Sequence, residues 1–175
     1  MSARKLPGAA IKELQSSMEI DYLCDHPELI PELAELNFKE WGHYRADDTV
    51  EGRIEHLQAN AGKGSVPTVM VAIEDSQLLG GAMLLTRDMA ARAELTPWLA
   101  GVYVKAEHRG RGIASQLVAR IVREAAALGV PELYLYTDTS QTLYARQGWE
   151  VLEQRVYQGL DVTVMKRGTV DTGLL

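Results

Sequence analysis

The chain has 175 residues, 46% of them hydrophobic and 24% charged, which fits one globular domain and excludes both a wholly disordered chain and a multidomain machine. Eighteen Lys and Arg against 24 Asp and Glu leave a net charge of −6, which argues against non-specific nucleic-acid or anionic-membrane binding and weakly favours cationic partners. The single cysteine, Cys24, excludes an intrachain disulfide and a thiolate metal cluster, suits a reducing cytoplasm, and reads as a small buried hydrophobe.

Residues Met1 to Ala10 carry basic charge, but Lys12, Glu13 and Gln15 interrupt at once, so no secretion signal is expected. No apolar run approaches the roughly 20 residues of a bilayer span, and a soluble, cytoplasmic protein is expected. Residues 1 to 17, with Pro7 and Gly8 and no sustained period, read as a flexible arm outside the fold. Met18 to Cys24 alternates apolar and polar and predicts a first strand. Pro27 and Glu28 open a helix that places Leu29, Leu33 and Leu36 on one face and ends near Trp41-Gly42. Asp47, Asp48 and Thr49 cap a second helix with Val50, Ile54 and Leu57 as its stripe, closed by Gly62 and Gly64.

Val66 to Ile73 and Leu78 to Thr86 predict an antiparallel hairpin across Glu74-Asp75-Ser76-Gln77, with a polar loop after it. Trp98 to Val104 is a further strand. Ile113, Leu117 and Ile121, with Val118, Val122 and Ala125, trace an amphipathic helix stopped by Gly129-Val130-Pro131. Leu133 to Thr137 is then a strand, and the strand, helix, strand succession implies a right-handed crossover between parallel partners. A short helix over Ser140 to Gln147 and a hairpin from Trp149 to Lys166, turning at Gln158-Gly159, complete the order β, α, α, β, β, β, α, β, α, β, β. The fold class is α/β: a mixed, mostly antiparallel sheet with one central parallel pair and helices on both faces, as one domain over residues 18–167 with a tail at 168–175. The last hairpin, with Tyr157 beside its turn, is a candidate homodimer contact.

Between the strand ending at Val104 and the helix beginning near Gly112 lies Lys105-Ala106-Glu107-His108-Arg109-Gly110-Arg111-Gly112-Ile113-Ala114. Two glycines allow a ligand close approach, and the free N–H groups of the first helical turn, backed by the helix dipole, form an anion socket suited to a diphosphate. Arg109 and Arg111 add charge. The dinucleotide fingerprint fails because Ser115 stands where a third glycine is needed, and no Gly-Lys-Ser/Thr ending makes a P-loop.

The segment does match Arg/Gln-x-x-Gly-x-Gly/Ala, read as Arg109-Gly110-Arg111-Gly112-Ile113-Ala114 after Val102-Tyr103-Val104, and so resembles the coenzyme A loop of the GNAT superfamily of N-acetyltransferases. Leu143-Tyr144-Ala145-Arg146-Gln147-Gly148-Trp149 resembles that family's Leu-Tyr-x-x-x-Gly-Phe ending, and with the element order the resemblance covers roughly residues 18 to 166. It implies a splayed strand pair, Val102 to Val104 and Leu133 to Thr137, with the pantetheine arm of acetyl-coenzyme A between them. The backbone of Val102, Tyr103 and Val104 would then hold the arm and polarise the thioester carbonyl, and residues Gly110 to Ser115, Ile113 and Ala114 included, would bind the diphosphate. Acetyl-coenzyme A is thus the expected acyl donor, passing its acetyl group directly to a primary amine of a small molecule or peptide.

An alkylamine with a pKa near roughly 10.4 must lose a proton, and a thiolate of roughly 8.5 gains from receiving one, so an acid and a base are needed. Tyr144 matches the family tyrosine that faces the coenzyme sulfur and is the candidate acid; its plain alternative is a core tyrosine. The base stays open among Glu94, Asp138, Tyr136 and a water chain. Tyr136 falls where relatives acting on protein N-termini often carry a glutamate, and Asp138-Thr139-Ser140-Gln141 lacks their asparagine, which argues against ribosomal-protein-type acceptors. In Glu40-Trp41-Gly42-His43-Tyr44, Trp41 and Tyr44 beside a carboxylate suit a cationic amine; Trp41 packed on the sheet is the alternative. His26, His43, His56 and His108 have no paired ligand spacing, so no metal is expected. Two further readings stand beside the acetyltransferase: a coenzyme A-binding or sensing module without chemistry, and an acyltransferase for longer chains, decided by the room beyond Tyr103 and Leu135.

Overall fold

The computed structural model describes residues 17–170; the expected arm before residue 17 and the end of the tail, residues 171–175, lie outside the described residues. In chain order it contains β1 (Glu19–Tyr22), α1 (Ile30–Trp41), α2 (Val50–Asn60), β2 (Thr68–Glu74), β3 (Gln77–Leu85), β4 (Trp98–Val104), α3 (Ile113–Ala127), β5 (Glu132–Thr137), α4 (Gln141–Ala145), β6 (Glu150–Tyr157) and β7 (Leu160–Gly168). The strands form one sheet in the order β1-β2-β3-β4-β5-β7-β6, antiparallel throughout except where β4 meets β5. That is the expected element order and the expected mixed sheet.

Side-chain alternation in β2 assigns the helices to opposite faces. Val69, Val71 and Ile73 point to one face, where they meet Leu29, Ile30, Leu33 and Leu57 from the α1–α2 region. Met70 and Ala72 point to the other, into a core with Leu117, Val118, Ile121 and Ala125 of α3. Beyond α1 and α2, the first face is completed by Met89, Trp98, Val162 and Val164. Three local signals hold these elements in place. Thr49 Oγ1 accepts from the Gly52 amide at 3.0 Å and caps α2. The Asp75-Ser76 turn takes positive φ at both residues, as a tight hairpin requires. Gly129 (φ 75°) closes α3, its amide and that of Val130 bonding back to Ala126 and Ala125.

The differences from expectation are at element ends. β1 stops at Tyr22, because the chain enters a 3-10 turn over Leu23–Asp25 that buries Leu23 completely. Pro27 opens a second 3-10 turn, and the α-helix proper begins at Ile30. α4 is shorter than Ser140 to Gln147, since the amides of Gln147 and Trp149 both bond the Tyr144 carbonyl and Gly148 (φ 86°) turns the chain out. β7 runs on to Gly168, paired with Glu132. Cys24 is half-buried rather than buried. β6 is the outer strand and leaves Val151, Leu152 and Val156 exposed. Among the described residues no helix is long and apolar enough to cross a membrane.

Candidate active site

The centre of the molecule is defined by a parting of two strands. β4 and β5 pair in register only at Trp98 and Tyr134, supported by the Tyr134 amide donating to the Pro97 carbonyl at 3.1 Å. Beyond that point they diverge. On its other side β4 stays bonded to β3, but with one extra residue: Gly81 faces Tyr103 while Met83 faces Ala100. This is a β-bulge at Gly101 (φ 58°) and Val102. Its effect shows in the packing, because Leu99 and Val104 both enter the α3-side core although an unbroken strand would send residues five apart to opposite faces. The backbone of Val102, Tyr103 and Val104 thus borders a gap that β5 does not fill.

The bend that follows lies at the open end of this gap. Gly110 (φ 78°) and Gly112 (φ 76°) take left-handed conformations, and a Cβ at either would meet nothing within 4 Å. Gly112 is the N-cap of α3 and no side chain caps that end, so the amides of the first turn, from Ile113, Ala114 and Ser115, face outward without side-chain partners. The fit for a diphosphate rests on this backbone rather than on the arginines. Arg109 Nε donates to the Val104 carbonyl at 3.1 Å with its guanidinium 5.8 Å from the Tyr103 ring centre. Arg111 pairs with Glu74 at the end of β2, at 2.8 Å.

Tyr144 is 7% exposed, packs edge-on to Trp149 with ring centres 6.2 Å apart, and lines the gap beyond β5. Burial pushes its hydroxyl up to about 12, which keeps it protonated across the neutral range. Gln147, just after α4, donates from Nε2 to Ser115 Oγ at 3.0 Å, tying the tyrosine's segment to the first turn of α3.

From the gap a cavity of about 770 Å³ opens between the α1–α2 region and the β6–β7 hairpin. Of the candidate acceptor residues, Trp41, Tyr44 and Tyr136 line it, and so do Val102 and Asp138. Trp41 also stands edge-on to Tyr103 at 6.2 Å, so it serves both the wall and the sheet. Glu94 does not line it: its carboxylate is exposed and bonded to Arg92, which holds it below the usual range. Burial raises the Tyr136 hydroxyl, with the neighbouring Asp88 carboxyl adding to the shift, so Tyr136 is held protonated. The four histidines are dispersed, His26 on Asp21, His43 against Tyr44, His56 beside Asn60 and His108 beside Arg111.

Two cavity residues escaped the sequence reading. Asp88 sits in what read as a polar loop after β3, yet it lines the cavity and burial pushes its carboxyl up to about 7. Asn37 on α1 is 3% exposed and lines the same cavity. Its signal was present, since it stands four residues after Leu33 on the helix's buried stripe.

A model of the acetyltransferase (GNAT) family matches residues 26–149. No curated protein sequence matches the chain. Among solved structures, an N-acetyltransferase from Staphylococcus aureus Mu50 superposes with TM-score 0.69 at 22% identity, covering 89% of this chain and 100% of that one. The yncA protein of Salmonella typhimurium, solved with its cofactor acetyl-CoA, gives 0.67 at 20% identity over 90% and 96%. An aminoglycoside 6'-N-acetyltransferase complexed with coenzyme A gives 0.68 at 15% identity over 87% and 98%. At these identities the likeness to the solved structures is one of fold.

Proposed function

The chain belongs to the acetyltransferase (GNAT) family, and from that premise we propose that it moves the acetyl group of acetyl-coenzyme A directly onto a primary amine of a small molecule or peptide. When bound, acetyl-coenzyme A supplies an activated acyl thioester. The backbone amides from Gly110 to Ser115 hold its diphosphate, with Arg109 and Arg111 adding positive charge at the rim. Val102, Tyr103 and Val104 border the gap that β5 leaves and offer backbone to the arm, the Val104 carbonyl being held by Arg109, and one of their N–H groups polarises the thioester carbonyl where negative charge gathers. Tyr144 gives its proton to the departing sulfur, and the raised pKa of its hydroxyl keeps that proton in place until sulfur needs it. Trp41, Tyr44 and Tyr136 form the acceptor walls; the amine approaches from the α1–α2 side of the sheet.

The observation that carries this reading is the parting of β4 and β5 beyond Trp98 and Tyr134, with the glycine bend at one end and Tyr144 at its side. A phenol held protonated in the gap favours catalysis over a coenzyme A-binding module without chemistry. The exposed Val151, Leu152 and Val156 on β6 support a homodimer through the last hairpin. Isothermal titration with acetyl-coenzyme A, followed by thiol release against a panel of amines, tests the function. Binding and turnover are expected; no binding at millimolar ligand rejects it.

A further inference from the structure

The acceptor side of the cavity contains polar groups that the fold leaves unpaired. Asp47 and Asp48 on its α2 wall are neutralised locally, by Arg45 at 3.3 Å and Arg53 at 2.5 Å. Glu40, Asp88 and Asp138 line the same space with no paired cation among the described residues. They come from three separate elements: the end of α1, the connection after β3, and the connection after β5. An acidic wall alone attracts any cation. A second, independent feature narrows the ligand: Asn37, almost fully buried in the cavity lining, has an Oδ1 that accepts no hydrogen bond. A buried amide oxygen without a donor costs stability, and an N–H of a bound group removes that cost. The lining also carries four rings, Trp41, Tyr44, Tyr136 and Tyr157, among its aliphatic side chains, and such rings suit a cation. A cavity of about 770 Å³ is of small-molecule size.

We propose that the acceptor is a small alkyl diamine or polyamine, whose reacting nitrogen is held by Asn37 Oδ1 and deprotonated by Asp88, while Glu40 and Asp138 meet its second positive charge. This deepens the acetyl-transfer reading and rests on it. Of the two protons the ammonium nitrogen sheds, Asp88 takes the first and passes it to solvent, which frees the lone pair. The C–N bond then forms as the C–S bond breaks. Tyr144 gives its proton to sulfur and recovers one from the nitrogen, so the products are the amide, the thiol and one released proton. Asp88 is suited to the first step because its burial places its carboxyl at about 7, within the working range of a base at neutral pH.

The test compares putrescine with n-butylamine, which share four carbons and differ by one amino group, in a thiol-release assay. Putrescine is expected to exceed n-butylamine in kcat/KM by about tenfold or more, and calorimetry on the coenzyme A complex is expected to show putrescine binding without turnover. Asp88→Asn, isosteric and uncharged, is expected to lower kcat by about a hundredfold with acetyl-coenzyme A affinity unchanged. Asn37→Ser is expected mainly to raise the putrescine KM, by about tenfold, and to weaken putrescine binding in the calorimeter by the same factor. Equal use of the two amines, no use of either, or a full-rate Asp88→Asn enzyme overturns the proposal. If acetyl-coenzyme A itself fails to bind, the acetyl-transfer reading fails. If it binds and only amines with a neutral body are acetylated, this inference alone fails.

Discussion

Trp98 of β4 and Tyr134 of β5 face each other in register, their ring centres 5.9 Å apart and their planes tilted by 50°, at the one point where the parallel strands join. Downstream of this pair β4 has a strand partner on one side alone, β3, while the Val104 carbonyl accepts from Arg109. Trp98 is fully buried, and its Nε1 donates to the Leu95 carbonyl at 2.7 Å. The hinge of the V is therefore a packed and hydrogen-bonded core element, while its open arms offer backbone to a ligand.

Tyr144→Phe removes only the hydroxyl that lines the gap. The expected result is a fall in kcat of roughly 100-fold or more, the usual share of a general acid, with the dissociation constant for acetyl-coenzyme A unchanged in calorimetry. An unchanged rate removes Tyr144 from the acid role.

Gly101→Ala attacks the bulge. The position needs φ 58°, and an added Cβ would collide with Met83 Cε, so the strand must pay left-handed strain of roughly 1–2 kcal/mol or flatten toward regular pairing. Urea unfolding should show the stability loss, and coenzyme affinity should fall with it. Gly110→Ala, with the same sign of φ but open space around the Cβ, should weaken coenzyme affinity with a smaller loss of stability.

The pH profile should carry an acid limb. With its carboxyl at about 7, Asp88 is charged and able to accept a proton only above that pH, so kcat/KM should fall as pH drops through about 7, and Asp88→Asn should flatten that limb. The groups around it are Tyr136 and Tyr157 from the sheet side, Asp138 after β5, and Glu40 with the Arg45–Asp47 and Arg53–Asp48 pairs from the helix side. His56, on the same wall, is held below its ordinary value by burial and stays neutral there.

The same carboxyl has a stability signature of definite sign. Its pKa is higher folded than unfolded, so folding carries no penalty from it below about pH 4, where both states are neutral, and loses stability between there and about pH 7. Asp88→Asn should therefore be more stable than the parent at pH 8, by roughly 1–3 kcal/mol, and no more stable at pH 4. Denaturant unfolding at the two pH values checks it.

Thr49→Ala removes the side-chain acceptor at the N-terminus of α2. A loss of about 1 kcal/mol in urea unfolding is expected.

The bend at Gly110 and Gly112 was legible because its function is local: glycines between a strand and an amphipathic helix say nearly the same thing in isolation as in the fold. Helix periods such as Ile113, Leu117 and Ile121 were legible for the same reason. The base was not. Glu94 sits close to β4 in sequence, yet it lies exposed against Arg92, whereas Asp88 lies in an ordinary polar stretch and is half-buried at a cavity that α1, α2, β5 and the β6–β7 hairpin also line. Burial of that kind is a product of assembly, and no neighbouring residue announces it. Asn37 and Gly101 were intermediate cases: a polar residue on an apolar stripe and a glycine inside a strand are both local irregularities.

The hydrogen bond from Gln147 to Ser115 has a metric consequence. It clasps the turn proposed to hold the phosphates to the segment that carries the phenol of Tyr144, so the span between them is set before any ligand arrives. On the proposed function this makes the protein a calliper: a thioester on a shortened carrier, anchored at the same turn, is expected to stop short of Tyr144, and one with no anchor to pass it without being kept in step.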